Sequence, residues 1–257
     1  MIIYVHTAGR PHKQTTLKSF SADLMKRTRL VVQDAEKDKY NIAPLKDNLV
    51  VLPPHINRLS PTRQWILENA ETDKFVMMDD DLTFAHRGPY TKTKLYQASL
   101  ENVEQMFTEL EYLLGEYAHV GVSAREGNNR VQSNLKENTR MMRLLGYNKP
   151  RVLEAGARFD RIDTKQDFDM TLQLLRQGYK NAVLYGYAHN QPGSNVDGGC
   201  SVYRDSEMMN RCSHELAELH PGFVKVVEKH TKTSWGGGIR TDVRIAWKKA
   251  YESHTQS

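Results

Sequence analysis

The feature that most constrains this chain is Phe75-Val76-Met77-Met78-Asp79-Asp80-Asp81, an apolar run that passes directly into three carboxylates. An apolar run this short, after a helix-like segment, reads as a buried strand. Three adjacent carboxylates repel one another, so the arrangement is most easily kept where positive charge sits beside it, and a divalent cation is the usual source. Successive side chains on an extended chain point to opposite faces. On that pattern Asp79 and Asp81 share a side, where they could hold a hard ion with phosphate oxygens in its remaining positions, and Asp80 faces away. A solvated acidic turn after a strand is the alternative for the same residues.

The segments before the triplet alternate strand and helix. Ile2–Val5 is an apolar, β-branched run, followed by the turn His6-Thr7-Ala8-Gly9-Arg10-Pro11. Gln14 to Met25 then has helical spacing at Leu17, Phe20 and Leu24. Strand, glycine turn and helix form the opening unit of a nucleotide-binding α/β sheet. Gly9 would let the backbone approach a ligand, and the planar fork of Arg10 suits a pyrophosphate. Arg29–Asp34 reads as a second strand with Gln33 at its polar end. Asn48–Pro54 reads as a third, stopped by two prolines. Ser60-Pro61 is expected to open a helix, with Ser60 as its cap. Ligands of open α/β sheets gather outside the carboxyl ends of strands, so the loops after the first, second and fourth strands should share one crevice.

Beyond the triplet, Phe84 to Tyr96 is polar, basic and turn-rich, and reads as a mobile loop: a lid or an acceptor contact. Leu100 to Tyr117 carries one apolar stripe and reads as an amphipathic helix. His119–Ser123 is a short strand. Arg125, Arg130, Arg140 and Arg143 lie in polar stretches and could meet phosphates of a nucleic acid or of a nucleotide, or simply water. Arg151–Phe159 reads as a strand and turn. Asp163–Asp169 precedes a helix over Met170–Gln177. Acidic residues favour that end of the helix dipole, and a carboxylate held there and aimed into the crevice could take a proton from a hydroxyl. Asn181–Asn190 reads as a last strand carrying His189, a good divalent-metal ligand at a strand end. Ser206 to Lys229 has helical spacing, Thr231–Gly238 reads as a flexible loop, and Arg240–Lys249 is a basic tail. Its Trp247 is suited to packing or to stacking on a base.

Composition limits the partners. No run approaches the roughly 18 apolar residues that span a bilayer. The first residues lack a signal peptide's basic start and long apolar core, and only Cys200 and Cys212 are present. A reducing, cytoplasmic location without membrane attachment is expected. The net charge of +5 suits a polyanionic partner, with a basic surface that has no such partner as the alternative from charge alone. No linker or repeat divides the 257 residues.

The order of these features resembles a nucleotide-sugar glycosyltransferase of the GT-A type. Asp79-Asp80-Asp81 matches the Asp-x-Asp motif of those enzymes. Gln166-Asp167-Phe168-Asp169, running through Leu172, Leu174 and Leu175 to Gly178, looks like their acidic helix start, with Gln166 where an acid is commonest. His189 is similar in position to their metal-binding histidine. More narrowly, Ile3-Tyr4-Val5-His6-Thr7-Ala8-Gly9-Arg10 with the later triplet resembles the TET/JBP-associated glycosyltransferases, found largely in phages and thought to glycosylate hydroxymethylated pyrimidines in DNA. The resemblance spans roughly residues 1–190 and implies a GT-A-like α/β fold with a mixed, mostly parallel sheet flanked by helices; with no linker to divide the chain, residues 1–257 are expected to form a single domain. Residues 1–90 would be the nucleotide-binding half and 91–257 the acceptor-binding half, with an elaborated helical C-terminal third. It implies Mn²⁺ or Mg²⁺ held by Asp79, Asp81 and His189. It also implies a nucleoside diphosphate sugar, a UDP-sugar being favoured, against Thr7, Gly9, Arg10, Gln33, Asp79 and Asp80. Asp167 would be the general base if the reaction inverts the anomeric centre. DNA bearing 5-hydroxymethylcytosine or another hydroxymethylpyrimidine would meet Arg125, Arg130, Gly156, Arg158 and Asp169. Two rival readings are a metal-dependent nucleotidyltransferase and a non-enzymatic nucleic-acid-binding module with a structural acidic cluster. Neither the sugar nor the oligomeric state is set by the residues.

Overall fold

A computed structural model describes residues 1–40, 46–88, 94–125, 133–191, 205–231 and 238–256. The chain opens with strand β1 (Ile2–His6). The Gln14–Met25 segment is not one helix: it forms a 3-10 turn over Thr16–Ser19 and a short helix α1 (Ala22–Lys26), because Ser21 turns extended and caps α1 by accepting from the Leu24 amide. Strands β2 (Thr28–Val32) and β3 (Leu49–Val51) follow. Helix α2 (Leu59–Asn69) begins one residue before Ser60. Ser60 is therefore not its cap; its hydroxyl donates instead to the Phe159 and Ile162 carbonyls at 2.6 and 2.7 Å, tying α2 to a distant loop. Strand β4 (Lys74–Asp79) ends at the first carboxylate of the triplet.

The turn-rich stretch after it is framed by strands β5 (Thr83–Arg87) and β6 (Leu95–Gln97), while residues 89–93 lie outside the described residues. Then come α3 (Leu100–Leu113), with a capping box between Ser99 and Asn102, and β7 (His119–Ala124). Two strands escaped the sequence reading, β8 (Leu135–Glu137) and β9 (Leu144–Asn148). Gly146 interrupts the apolar run of β9; a Cβ there would stand 2.8 Å from Val120, so the glycine is what lets β9 lie against its neighbour. Arg151–Phe159, expected as a strand, opens within helix α4 (Lys149–Glu154), because Asn148 caps the Arg151 amide and Pro150 sits in the first turn. Helix α5 (Gln166–Arg176) starts four residues before the expected Met170, so that Asp167 and Asp169 lie in its first turn rather than ahead of it, while strand β10 (Asn181–Asn190) agrees with expectation.

The C-terminal third is not purely helical. Helix α6 (Ser206–Leu219) gives way to a hairpin of β11 (Val224–Thr231) and β12 (Gly238–Ile245), then to α7 (Trp247–Glu252). Val224, Val226 and Val227 are β-branched residues, which suit a pleated surface better than a helix. The Thr231–Gly238 loop falls largely on residues 232–237, outside the described residues.

Ten strands form one sheet in the order β3-β2-β1-β4-β9-β7-β10-β5-β6, with β8 paired to β10. The first four are parallel, and β7 and β10 run with them; β6 has the same direction, whereas β5, β8 and β9 run opposite. The sheet is thus mixed and mostly parallel. One face packs α1 and α3 through Leu24, Val103, Met106 and Phe107. The other packs α2 and α5 through Ile66, Leu67, Met170 and Leu174. A third cluster holds α6, the hairpin and α7 against α5 through Leu172, Leu175, Leu216 and Val224. The carboxyl ends of β1, β2 and β4 come out together, since His6 stands beside both Val31 and Asp79. Among the described residues no helix is long and apolar enough to cross a membrane.

Candidate active site

The Asp triplet does not follow the strand alternation expected of it. Because β4 stops at Asp79, Asp80 and Asp81 lie in a turn, and both reach one guanidinium: Arg10 Nη1 donates to Asp80 Oδ1 and to Asp81 Oδ2, each at 2.9 Å. Asp79 turns elsewhere. Its Oδ1 meets His6 Nε2 at 3.0 Å and Arg63 Nη2 at 3.3 Å. Asp80 and Asp81, not Asp79 and Asp81, therefore share a side.

The β1 loop locks this turn in place. The Thr7 hydroxyl donates to Asp80 Oδ2 and lies 3.1 Å from the Tyr40 hydroxyl. Gln14 Nε2 donates to Thr7 Oγ1 and to the Arg10 carbonyl. The Arg10 amide donates to Tyr40, and the Gly9 amide to Glu36 Oε2. Gly9 has φ 67°, which glycine adopts without a Cβ penalty. Thr16 holds the triplet's backbone: its hydroxyl donates to the Asp79 carbonyl at 2.7 Å and accepts from the Leu82 amide, while its own amide donates to the Asp80 carbonyl. Gln33 sits at the end of β2, half-buried, with its amide on the Asn57 carbonyl.

Electrostatics separates the three carboxylates. Burial works against ionising Asp79, but the His6 hydrogen bond and the charges of His6, Arg63 and Arg143 outweigh it and bring the pKa down to about 2. For Asp80 burial prevails over Thr7 and Arg10, and the pKa is raised. Asp81 is raised by burial and by its two acidic neighbours, against Arg10. Its Oδ1 is buried and meets no hydrogen-bond partner among the described residues. A buried carboxylate oxygen left unsatisfied is costly unless a ligand completes it.

That oxygen fits a hard divalent cation. The rest of the expected metal set is looser. Asp79 is engaged by the His6 imidazole and the Arg63 guanidinium, and among the described residues no three His, Cys, Asp or Glu side chains are gathered to hold an ion. His189 is fully buried in β10, beside Phe84 of β5 and Ala124 of β7, so the fold brings it to the segment leaving the triplet.

Opposite stands Asp167, at the start of α5. One oxygen accepts from the Phe168 amide at 3.0 Å. Burial raises its pKa, Arg63 opposes the rise and Asp79 adds to it, so Arg63 acts on both carboxylates. The Tyr147 hydroxyl and Arg63 Nε are also buried without partners among the described residues. A cavity of about 290 Å³ lies beyond, lined by Val122, Ser123, Ala124, Thr139, Arg140, Met142, Tyr185 and Trp247. Trp247 of the cavity wall packs edge-on against Phe168, the residue after Asp167, with ring centroids 5.6 Å apart.

The sequence profile of the TET-Associated Glycosyltransferase family matches residues 1–199. The chain belongs to that family. As a TET-associated glycosyltransferase it is an enzyme, which displaces the rival readings of nucleotidyltransferase and binding module. It is 23% identical over 203 residues to a beta-glucosyl-HMC-alpha-glucosyl-transferase of Enterobacteria phage T6, covering 75% of this chain and 72% of that one. The phage T2 protein of the same name is 22% identical over 202 residues, covering 75% and 71%. Among solved structures, glucosyl-3-phosphoglycerate synthase from Mycobacterium tuberculosis with Mn²⁺, UDP-glucose and phosphoglyceric acid superposes with a TM-score of 0.53 at 10% identity, over 93% of this chain and 88% of that one. S. aureus TarS 1-349 with UDP-GlcNAc gives 0.50 at 15% identity, over 84% and 67%. Against the UDP complex of TarS 1-349 this chain spans 65% of the partner's length. These neighbours share the GT-A fold.

Within this TET-associated glycosyltransferase the expected acceptor residues do not converge. Asp169 is fully buried and saturated: Oδ1 meets His220 Nε2 at 2.7 Å, Oδ2 accepts from Gln173 at 2.9 Å, and Arg161 lies at 3.5 Å. It is a structural anchor for the C-terminal third, not an acceptor contact. Gly156 ends α4 at φ 60°, a helix-terminating turn. Arg158 is exposed and forked onto Asp160 at 2.7 and 2.9 Å. Arg125 is exposed, its amide on the His189 carbonyl at 2.8 Å. Arg130 lies outside the described residues. His6, Arg63, Tyr40, Gln14 and Thr16 were missed. Only His6 had a sequence signal, being the last residue of the opening strand; the others reach the triplet through tertiary packing.

Proposed function

We propose that the protein transfers a sugar from a nucleoside diphosphate sugar, most favourably a UDP-sugar, to a hydroxyl on a hydroxymethylated pyrimidine of DNA. One observation carries the reading: Asp81 Oδ1 is held buried and unsatisfied beside Arg10, at the carboxyl end of β4, where a donor diphosphate would lie. The family and the phage relatives named for HMC support the acceptor class. Metal complexes of the GT-A neighbours support a divalent ion.

In this reading Asp81 holds Mn²⁺ or Mg²⁺, with Asp79 and His189 as the further candidate ligands. The ion would neutralise charge on the departing diphosphate. Arg10, already between two carboxylates, adds its planar fork to the same phosphates. The Thr7 and Gly9 loop and Gln33 line the nucleotide side, and buried Asp80 fixes Arg10. Asp167 takes the proton of the acceptor hydroxyl if the anomeric centre inverts. Its raised pKa makes it a stronger base once ionised, and Arg63 keeps the ionised form accessible. The cavity walled by Trp247 would receive the acceptor base, which must leave the duplex stack to enter it. A phage enzyme of this kind would work in the host cytoplasm.

A donor screen tests this. UDP-, GDP- and other nucleotide sugars are supplied with Mn²⁺, with and without hydroxymethylcytosine DNA, and with Asp81→Ala alongside. Nucleoside diphosphate release that requires metal, Asp81 and modified DNA is expected. Release indifferent to DNA would sink the acceptor assignment, and transfer unaffected by chelator would sink the metal assignment.

A further inference from the structure

The β11–β12 hairpin lies beyond the residues matched by the family, and its two faces differ. In the observed register Val224 pairs with Ile245 and Val226 with Val243. Val224, Val243 and Ile245 pack with Leu216 of α6, so this face is the inner one. On the other face Lys225 stands directly opposite Arg244, and Lys229 directly opposite Arg240. All four are exposed. Like charges directly opposite each other destabilise a hairpin. Asp242 relieves the outer pair, meeting Lys229 at 2.6 Å and Arg240 at 3.4 Å. The inner pair has no carboxylate partner among the described residues.

Two exposed cations facing each other, with no carboxylate beside them among the described residues, form a surface complementary to an external anion. The two basic rungs are four residues apart, about 13 Å along the strands. That distance is close to the roughly 12 Å width of a DNA major groove, so each rung could meet a different phosphate backbone. The inner end of the hairpin runs through Ala246 into Trp247, which lines the cavity beside Phe168. A duplex gripped by the hairpin would therefore lie next to the cavity mouth.

We propose that the outer face of the β11–β12 hairpin is a duplex-binding arm that grips DNA phosphates through Lys225, Arg244, Lys229 and Arg240 and presents the strand to the cavity walled by Trp247. The choice of DNA as occupant rests on the acceptor reading above; the grip itself is independent of catalysis.

The test is anisotropy of a labelled, unmodified duplex of about 20 base pairs with the full chain over a salt series. Lys225→Glu/Arg244→Glu should weaken binding at least tenfold at 100 mM salt and lower the log–log salt slope by about 1.8, the loss of two phosphate contacts. Donor hydrolysis without DNA should be unchanged, since neither residue touches the triplet. Lys225→Glu alone converts the repelling pair into an opposite-charge pair, so it should melt no lower than the wild type while still weakening DNA binding. Duplex affinity within twofold of wild type in both variants overturns the arm. So does loss of self-association with unchanged DNA affinity, which would make the face a protein interface. Arm-dependent duplex binding without any sugar transfer to DNA would keep the arm and reject the acceptor reading instead.

Discussion

The proposed donor side and the proposed acceptor side of this molecule hold their carboxylates in different ways. Around the triplet, residues from the first 90 positions close on one another: Thr7, Arg10 and Thr16 reach Asp80 or its turn, Gln14 and Tyr40 hold Thr7 and Arg10, and Arg10 binds two acids at once. Around α5, two acids two residues apart meet opposite fates. Asp169 is saturated by His220, Gln173 and Arg161, whereas Asp167 accepts one backbone amide and faces the charge of Arg63. Saturation removes a carboxylate from chemistry; incomplete satisfaction in a buried place leaves it able to take a proton or an ion. Around the triplet the contacts join segments 63 to 73 residues apart, whereas Asp169 combines Gln173, one helical turn away, with His220, 51 residues later.

The largest effect should come from the unsatisfied donor-side oxygen. Asp81→Ala should lower metal-dependent diphosphate release at least a thousandfold, while the melting temperature holds or rises because two like-charged neighbours lose a repelling partner. Release within tenfold of wild type would make the triplet a scaffold and erase the contrast.

If the reaction inverts, with Asp167 as the proposed general base, Asp167→Asn should cost about a hundredfold to ten-thousandfold in kcat. The raised pKa of Asp167 sets the sign of the pH dependence. The base works ionised, so kcat/KM of the wild type should fall as pH drops through a midpoint above 3.8, the ordinary value. That acid limb should vanish in the variant. Stability runs the other way: a folded pKa above the unfolded one favours the protonated form, so this group's contribution declines as pH rises from about 3.8 through the folded value. A pH–rate profile beside a pH series of urea melts reads both.

His220→Ala should act on stability instead. It removes one of three partners of the buried Asp169 carboxylate, and leaving a buried acceptor unsatisfied costs about 1–3 kcal/mol. Urea unfolding should show that loss, with activity per folded molecule within about twofold. A kcat loss as deep as that of Asp167→Asn would show that the start of α5 works as one unit.

The smallest effect belongs to Arg140, exposed at the cavity edge. Arg140→Ala should raise KM for DNA several-fold, reduce the salt slope by about 0.9, and leave donor hydrolysis without DNA unchanged.

Much of the donor side was readable along the chain. The apolar run into Asp79, the glycine turn after β1 and the helical stripe of α3 are signals contained within a few residues. The start of α5 and the late strand bearing His189 are of the same kind. The hairpin was misread because Leu216, Leu219, Val224 and Val227 fit a helical spacing that Ser206–Lys229 does not keep. Strand β9 was lost to a glycine whose purpose appears only beside Val120.

The sequence by itself determined the α/β class, the family motifs and the placing of an acidic cluster at a strand end. Periodicity within one element is enough for that, since it reports which residues share a face. Only the tertiary structure decided that Asp80 and Asp81 share Arg10, that Asp79 belongs to His6 and Arg63, and that Asp169 is an anchor for His220, 51 residues later. A carboxylate's role depends on which charge or donor arrives beside it, and arrival is governed by strand order and long-range packing, which the chain's local pattern does not encode.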